Sequence, residues 1–347
     1  MPWTMPAETA PQDRVWMSFP APGASALGDD PGQRREAREA WSRVANEIVR
    51  FEPVTIVVDP GEEEAARAVL DPAVSVVVAP LDDSWMRDCG PTFVHAEDGS
   101  VAAVTWTFNG WGQQTWSKWD NDAKVGPLVA GLAGVPRIDS DLVNEGGGIV
   151  VDGNGTVVLT ETVQLDRGRN PGLTKADVEA ELADKIGIRQ AIWLERGLYR
   201  DSQTFGTRGH SDILVAFPSP GTVLVHAQRN PEHPDFEVSR EIRAAFEGGA
   251  DADGNPWRIV EVPAPEVLRD EEDFVDYSYI NHLPVNGGVI ACSFDDPADE
   301  EAARILAAEY PGREVVPVDA RPIFARGGGV HCITQHQPSP RAGGSAG

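Results

Sequence analysis

Five residues of this 347-residue chain are of the types that together attack an electron-poor carbon: Asp88, Glu145, His210, Asp212 and Cys332. Each lies in, or just after, a glycine-bearing polar segment: Arg87-Asp-Cys-Gly90, Asn144-Glu-Gly-Gly-Gly148, Arg208-Gly-His-Ser-Asp212 and Arg326-Gly-Gly-Gly329, the last leading to Cys332. Glycine has no Cβ and lets a ligand or a second backbone approach closely. A cysteine acts as nucleophile in its thiolate form, and an imidazole serves as general acid and base. A carboxylate such as Glu145 would orient the imidazole and favour its charged form. Asp88 and Asp212 would hold the target from either side. A guanidinium suits such a set, because it is planar, nearly always protonated, and offers N–H groups that carboxylates grip bidentately. Taken singly, each residue has a plainer reading: Cys332 as an inert core thiol, Asp88 as a turn residue, Glu145 as a solvated acid, His210 as a cap or core imidazole. The chemistry exists only if the chain brings the five together.

The pattern of elements suggests how it does so. Apolar residues at helical spacing predict helices over 34–50, 122–132, 174–186, 236–246 and 298–310, with a shorter one over 62–70. Thr174 is a good N-cap, with Asp177 three residues on. Short apolar runs predict strands at Val15–Phe19, Val54–Val58, Val74–Ala79 (buried), Thr92–Val94, Val101–Phe108, Val157–Thr162, Ala191–Leu194, Ile213–Phe217, Thr222–His226, Ile259–Val262 and Gly288–Phe294, with Leu142–Val151 leading into another. Counting Asn286-Gly-Gly288, a glycine-bearing segment runs into an apolar strand five times, and a helix precedes each. Repetition of one strand–helix unit argues for a closed, quasi-symmetric array whose equivalent loops meet near a central axis. The competing architecture is an open doubly wound sheet, but no GxGxxG or GxxxxGK[ST] follows any strand. On this reading Cys332 sits on the final strand, and His210 and Asp212, two apart on a strand, face the axis together. His331 then points away from Cys332, because neighbours on a strand face opposite sides. Residues 1–33 read as an extended lead-in, 1–338 as one domain, and 339–347 as a disordered tail of small residues.

Composition narrows the function classes. The formal net charge is −26, from 29 Lys and Arg against 55 Asp and Glu. Such a field repels a phosphate backbone, which excludes nucleic acid as a partner, and attracts a small cation. No apolar run approaches the ~18 residues of a membrane span, and the N-terminus lacks the basic and apolar regions of a signal peptide. The expectation is a cytoplasmic protein without membrane association. Its three cysteines, Cys89, Cys292 and Cys332, lack CxxC spacing, and its seven histidines form no HxxxH or HExxH. Neither a disulfide framework nor a structural metal site is expected.

These residues resemble the agmatine deiminases and the related bacterial peptidylarginine deiminases of the guanidino-group-modifying superfamily. The resemblance runs from residue 5 to residue 338. It rests on Met5-Pro-Ala-Glu8, Trp16, Trp85-Met-Arg-Asp-Cys-Gly-Pro91, Trp106-Thr-Phe-Asn-Gly-Trp-Gly112, Asn144-Glu-Gly-Gly-Gly148, Arg169-Asn-Pro171, Gly209-His-Ser-Asp212 and His331-Cys-Ile-Thr-Gln335, in that order. It implies a five-bladed pseudo-symmetric α/β propeller, the pentein fold. It also implies a catalytic set of Cys332, His210, Glu145, Asp88 and Asp212, with no metal and no organic cofactor. The implied reaction is hydrolysis of a guanidine through a covalent thiouronium on Cys332, with agmatine giving N-carbamoylputrescine and ammonia. Trp85 and Arg208 join Asp88 and Asp212 as expected substrate contacts.

The chain departs from the family pattern at Gly206, where many agmatine deiminases carry a glutamate that meets the substrate amine, and at the nearby Arg208. An arginine there could bind a carboxylate or repel an amine. It departs also at Cys89, Ser211, Ile213 and Gly329. Three other readings stay open at the level of sequence: a deiminase of another guanidine, an amidinotransferase, or a non-catalytic propeller that binds a macromolecule. An unrelated cysteine amidase would not need both Asp88 and Asp212. The oligomeric state is open too, a homo-oligomer included.

Overall fold

A computed structural model describes residues 3–23 and 30–341. Among the described residues the strands form five separate sheets. All five share one topology, and each is a blade. A short strand pairs antiparallel with a second. That strand pairs parallel with a third, across a helical crossover that packs on the sheet.

In the first blade Thr92–Ala96 pairs with Val101–Thr107 and then, through helix Val125–Ala133, with Arg137–Val143. The second uses Val150–Val151, Thr156–Thr160, helix Lys175–Ile186 and Gln190–Leu194. The third uses Val215–Ser219, Thr222–Ala227, helix Asp235–Phe246 and Arg258–Pro263. The fourth uses Leu283–Val285, Gly288–Ser293, helix Asp299–Glu309 and Glu314–Asp319. The fifth joins the two ends of the chain. Thr334–Pro338 pairs antiparallel with Gln12–Ser18, which continues through helix Pro31–Ile48 to Val54–Val58 and Ser75–Val78. Before the first strand of each blade the chain passes close to the axis, at 86–89, 146–148, 211–213, 278–282 and 326–333.

The local chemistry explains the elements. Asp30 caps helix Pro31–Ile48, accepting from the N–H groups of Gly32 and Gln33 at 2.6 and 3.1 Å, with Pro31 at the first turn. The inward stripe of this helix is Ala37, Ala40, Trp41, Val44, Ala45 and Ile48, all buried. Thr174 and Asp177 form a reciprocal capping box, and Gly187 ends the same helix in the left-handed conformation at φ 75°. Central strands such as Val54–Val58 and Thr156–Thr160 are buried on both faces, which is why they read as continuous apolar runs.

Several expectations are corrected. Arg137–Val143 and Glu314–Asp319 are strands that the apolar-run criterion missed. They are the outer strands of their blades, half exposed and rich in charge. The expected buried strand at Val74–Ala79 is Ser75–Val78, an edge strand with Val78 47% exposed. Leu142–Val151 does lead into a strand, Val150–Val151, but only after a 3₁₀ turn at Gly146–Gly148. Asn286-Gly-Gly288 is not an axial segment but a hairpin turn; the fourth axial passage is 278–282. Cys332 lies in a turn ahead of Thr334–Pro338, and His210 and Asp212 lie in and beside a 3₁₀ turn at Ser211–Ile213, so none of the three is on a strand. The chain is also held beyond residue 338. The N–H of Ser339 donates to Pro11 O at 2.8 Å and that of Arg341 to Gly99 O at 2.9 Å. The remaining expected tail, 342–347, lies outside the described residues, as do parts of the expected lead-in. Among the described residues no helix is long and apolar enough to cross a membrane.

Trp41 ties the fifth blade to the axis. It is fully buried, donates its indole N–H to Ser84 O at 3.2 Å, and meets Trp85 edge-on at 5.5 Å. Trp41→Ala should therefore cost about 3–5 kcal/mol of stability, the usual range for a buried aromatic truncated to alanine. A urea titration followed by circular dichroism checks this through the shift in midpoint at constant slope.

Candidate active site

The axial passages converge on one narrow cleft. Trp85, Asp88, Trp111, Trp116, Phe205, Thr207, Arg326, Gly327 and Cys332 line it. Close packing at its floor needs glycine at two places. A Cβ on Gly147 would lie 2.4 Å from His210 Nδ1, 3.0 Å from Asp88 Oδ1 and 3.1 Å from Asp212 Oδ2. Three of the five expected residues thus aim at one point. A Cβ on Gly328 would lie 3.0 Å from Cys332 Sγ and 2.8 Å from the Trp85 ring. The glycine run before the cysteine is there so that its backbone can pass under sulfur and indole.

Cys332 Sγ stands 3.5 Å from Asp212 Oδ2 and 3.3 Å from Asn281 Nδ2. The Asn281 amide is oriented by its other bonds: Oδ1 accepts from His331 N–H at 3.0 Å and Nδ2 donates to Asp212 O at 3.3 Å. Burial, and then the charges of Asp212 and Asp88, push the thiol well above its ordinary range. The resting sulfur carries its proton.

His210 is buried between carboxylates. Its Nε2 meets Glu145 Oε2 at 3.2 Å, and Nδ1, which has no hydrogen-bond partner, lies 3.7 Å from Asp88 Oδ1. Burial opposes the imidazolium, but the charge of Asp88 and the bond and charge of Glu145 outweigh it, and the group is pushed up to about 9. Glu145 is itself held by Arg169, whose Nε lies 3.0 Å from both carboxylate oxygens, with both side chains fully buried. Burial works against the carboxylate, yet Arg169 and His210 bring it down to about 2. Arg169 also donates to Asp166 at 3.1 Å and to Thr207 O at 2.7 Å, pinning the loop that carries His210.

Asp88 has only neutral donors: the Trp111 indole N–H at 2.8 Å and the Gly147 N–H at 3.2 Å. Burial raises it, His210 lowers it, Glu145 and Asp212 raise it again, and it stands at about 6. Asp212 accepts from His331 Nδ1 at 2.8 Å through one oxygen, while its other oxygen is buried without a partner. Burial again disfavours its charge, but His331 more than compensates and holds it below the ordinary range. The cleft thus holds a protonated thiol, an imidazolium and two carboxylates with unfilled bonding capacity. Such a site is short of one cation.

All five expected catalytic residues come together, and Trp85 forms a wall of the same cleft. Arg208 does not. It is paired with Asp166 at 3.3 Å and faces a separate, open depression lined by Gln113, Gln114, Thr162 and Ser202. Its left-handed backbone, φ 77°, turns the side chain outward. Of the five non-glycine residues with positive φ among the described residues, two line the cleft, Trp111 and Phe205, and two, Gln113 and Arg208, line the neighbouring depression. Strain of this kind persists where surrounding structure imposes it, commonly at functional sites.

The reading of residues missed several members. His331 was set aside on the assumption of a strand; in a turn, neighbouring side chains need not diverge, and it contacts Asp212. Asn281 carries no local signal, because Tyr279-Ile-Asn-His282 reads as ordinary loop. Trp111, Arg169 and Glu8 lay within the quoted motifs but received no role. Cys89 and Cys292 are buried and free, with thiols donating to Trp85 O at 3.3 Å and Asn281 O at 3.1 Å, and neither lines the cleft.

The buried Glu145–Arg169 pair carries a prediction of its own. Glu145→Gln removes the carboxylate that meets Arg169 Nε and the His210 imidazolium, leaving Asp166, among the described residues, as the one acid on the Arg169 guanidinium in a site closed to water. The expected loss of stability is about 3–5 kcal/mol, to be measured by urea unfolding of the variant beside wild type.

Comparison with known proteins follows the same lines. The model of the Porphyromonas-type peptidyl-arginine deiminase family matches residues 4–338. A protein of Streptomyces coelicolor is 53% identical over 339 residues, covering 97% of this chain and 99% of its own. The agmatine deiminase of Pseudomonas fluorescens is 39% identical over 360 residues, covering 97% and 95%. The solved agmatine deiminase of Enterococcus faecalis superposes with a TM-score of 0.90 at 30% identity, covering 97% of this chain and 96% of that one. That superposition and the five-sheet topology identify the architecture as the pentein propeller, and the full-length match makes this chain a member of the Porphyromonas-type peptidyl-arginine deiminase family.

Proposed function

We propose that the protein hydrolyses agmatine to N-carbamoylputrescine and ammonia, with Cys332 as nucleophile. The observation that carries this reading is the convergence of a protonated thiol, an imidazolium and two under-satisfied carboxylates in a cation-deficient cleft. Full-length relatives that bear the name agmatine deiminase supply the substrate. The guanidinium enters between Asp88 and Asp212. Its charge offsets the two that hold the proton on sulfur, and Cys332 releases that proton to solvent. The thiolate attacks the guanidinium carbon. His210 then donates a proton to one amino nitrogen, the C–N bond breaks, and ammonia leaves a thiouronium on Cys332. The neutral His210 next takes a proton from water as its oxygen adds to the same carbon. Collapse of that adduct breaks the C–S bond, forms the urea carbonyl and returns the hydroxyl proton to sulfur. Glu145 orients His210 throughout and is held by Arg169. Trp85, Trp111, Trp116 and Phe205 form apolar walls for the methylene chain.

Arg208 is turned to Asp166, and Arg326, which lines the cleft, is paired with Glu36 at 2.8 Å. With both guanidinium groups already held by acids, the cleft favours agmatine over guanidines with an acidic tail. No family glutamate stands at residue 206, so the distal amine is less firmly gripped here than the guanidinium. We further place the protein in the cytoplasm, where three unpaired thiols remain reduced.

Two outcomes are expected. Cys332→Ser should fold as wild type and show no turnover of agmatine, because only the thiol supplies the covalent step. Wild type quenched during turnover should carry a substrate-derived adduct on Cys332 by mass spectrometry. A serine variant of near wild-type activity removes the mechanism. The second concerns pH. Asp88, at about 6 in the free protein, must be ionised to receive the guanidinium, and His210, at about 9, must be protonated to expel ammonia. The value of kcat/KM should therefore rise with pH through about 6 and fall through about 9. The two limbs are macroscopic values of the coupled set. A stopped assay of ammonia release across this range checks both.

A further inference from the structure

Behind the cleft, on the far side of Asp212, lies a second group of ionisable residues that the reaction above does not use: Glu8, Arg87, His282, His331 and His336. His331 is its centre. Nδ1 of His331 meets Asp212 Oδ2 at 2.8 Å, and Nε2 meets Glu8 Oε1 at 2.7 Å. An ionised carboxylate only accepts hydrogen bonds, and a neutral imidazole has one N–H to give. Two carboxylates on the two ring nitrogens are both satisfied only by the imidazolium. The other two imidazoles differ. His282 bonds to Tyr279 O at 2.9 Å and to Tyr310 Oη at 2.8 Å, and His336 has Arg87 at 3.5 Å; burial pushes both down to about 4. Glu8 arrives from the N-terminal segment and is gripped in turn by Arg87 Nη1 at 3.2 Å, while Arg87 Nε binds His331 O at 3.3 Å.

We propose that Glu8 and His331 are positioning residues for the guanidinium site: Glu8 keeps His331 doubly protonated, and His331 keeps Asp212 ionised and aimed, with one oxygen free for substrate. The order of charges runs Asp212, His331, Glu8, Arg87, alternating in sign from the cleft to the back of the axis. The groups facing Asp212 are His331, His210, Arg87, Asp88 and the Cys332 thiol. Of these, only His331 donates a side-chain hydrogen bond to it without standing in the substrate's place. A lone buried carboxylate beside Asp88 would take up a proton, and a neutral acid does not hold a guanidinium. The N-terminal Met5-Pro-Ala-Glu8 stretch therefore acts on the cleft without touching substrate.

The inference rests on the deiminase reading for its kinetic arm but not for its spectroscopic one. With ¹⁵N-histidine-labelled protein, the His331 ring should show both nitrogens protonated through neutral pH in wild type. Glu8→Gln keeps the length and one acceptor oxygen but removes the charge. In E8Q the His331 ring should titrate at lower pH. KM for agmatine should rise about tenfold, as a less well aimed Asp212 weakens the grip on the guanidinium by about 1.4 kcal/mol, with kcat within about threefold and the acid limb of kcat/KM moved upward. Glu8→Asp, which restores the charge, should recover most of both effects. A His331 that stays doubly protonated in E8Q overturns the proposal, as does an equal KM loss in E8D and E8Q. If E8Q does not fold, His331→Gln, whose neutral amide can still donate to Asp212, carries the same KM expectation, and a wild-type KM in H331Q overturns it. Wild-type protein inert toward agmatine would instead defeat the deiminase reading and leave the His331 titration to decide this one.

Discussion

Uncompensated negative charge at the axis is the constraint on which the rest of the structure depends. Asp88, Glu145 and Asp212 converge in a region closed to water, where an isolated carboxylate is costly and tends to neutralise. Each is handled differently. Glu145 is fully paired with Arg169 and is brought down to about 2. Asp212 has an imidazole on one oxygen and nothing on the other. Asp88 has only an indole and a backbone N–H, and stands at about 6. The gradient from full to partial satisfaction is what makes the cleft receptive to a cation, since the substrate completes bonds the protein leaves open.

The same charges explain the state of the two reacting side chains. The carboxylates that raise His210 to about 9 also hold the proton on Cys332. Resting thiol and resting imidazolium therefore coexist, and in the proposed reaction the thiolate forms when a guanidinium occupies the site. A neutral ligand would leave the sulfur protonated. Selectivity for a cation and activation of the nucleophile thus have one electrostatic origin, which links the reaction to the overall acidity of the chain.

The propeller supplies the geometry. Each blade contributes one axial passage, so residues 88, 145, 212, 281 and 332 arrive from five different directions. Closure of the ring through Gln12–Ser18 and Thr334–Pro338 places Glu8 and Cys332 in the same neighbourhood, although 323 positions separate Glu8 from His331. Trp41 and Trp85 carry the packing of the fifth blade to the cleft wall. The site is held by framework on every side and does not depend on a single loop.

Much of this was legible in the residues. Helical periodicity located the crossovers to within a few positions, because their buried stripes must be apolar. The repeated glycine-bearing segments pointed to a closed array, and four of the five lie at or beside axial passages where backbones pack closely. The fifth, Asn286-Gly-Gly288, is a hairpin turn, and the passage at 278–282 carries no glycine. Asp88, Glu145, His210, Asp212 and Cys332 could be picked out because each sits at the same place in its unit or just after it. Other features were decided by tertiary structure alone. Arg137–Val143 is a strand because a neighbouring strand pairs with it, although much of its own composition is polar, and Glu314–Asp319 is one although its short apolar stretch is broken by Pro317 and bounded by acids. Cys332, His210 and Asp212 lie in turns, and a turn's side-chain directions depend on what packs around it, so strand alternation could not place His331 or Asn281. Arg208 faces away from the cleft because Asp166 stands outside it, a contact across 42 positions that no local pattern encodes. Sequence determined which chemistry was available and how many units would carry it. The fold decided which carboxylate is paired, which is left short, and so which of them can receive a substrate, because pairing in a buried site depends on distances between blades.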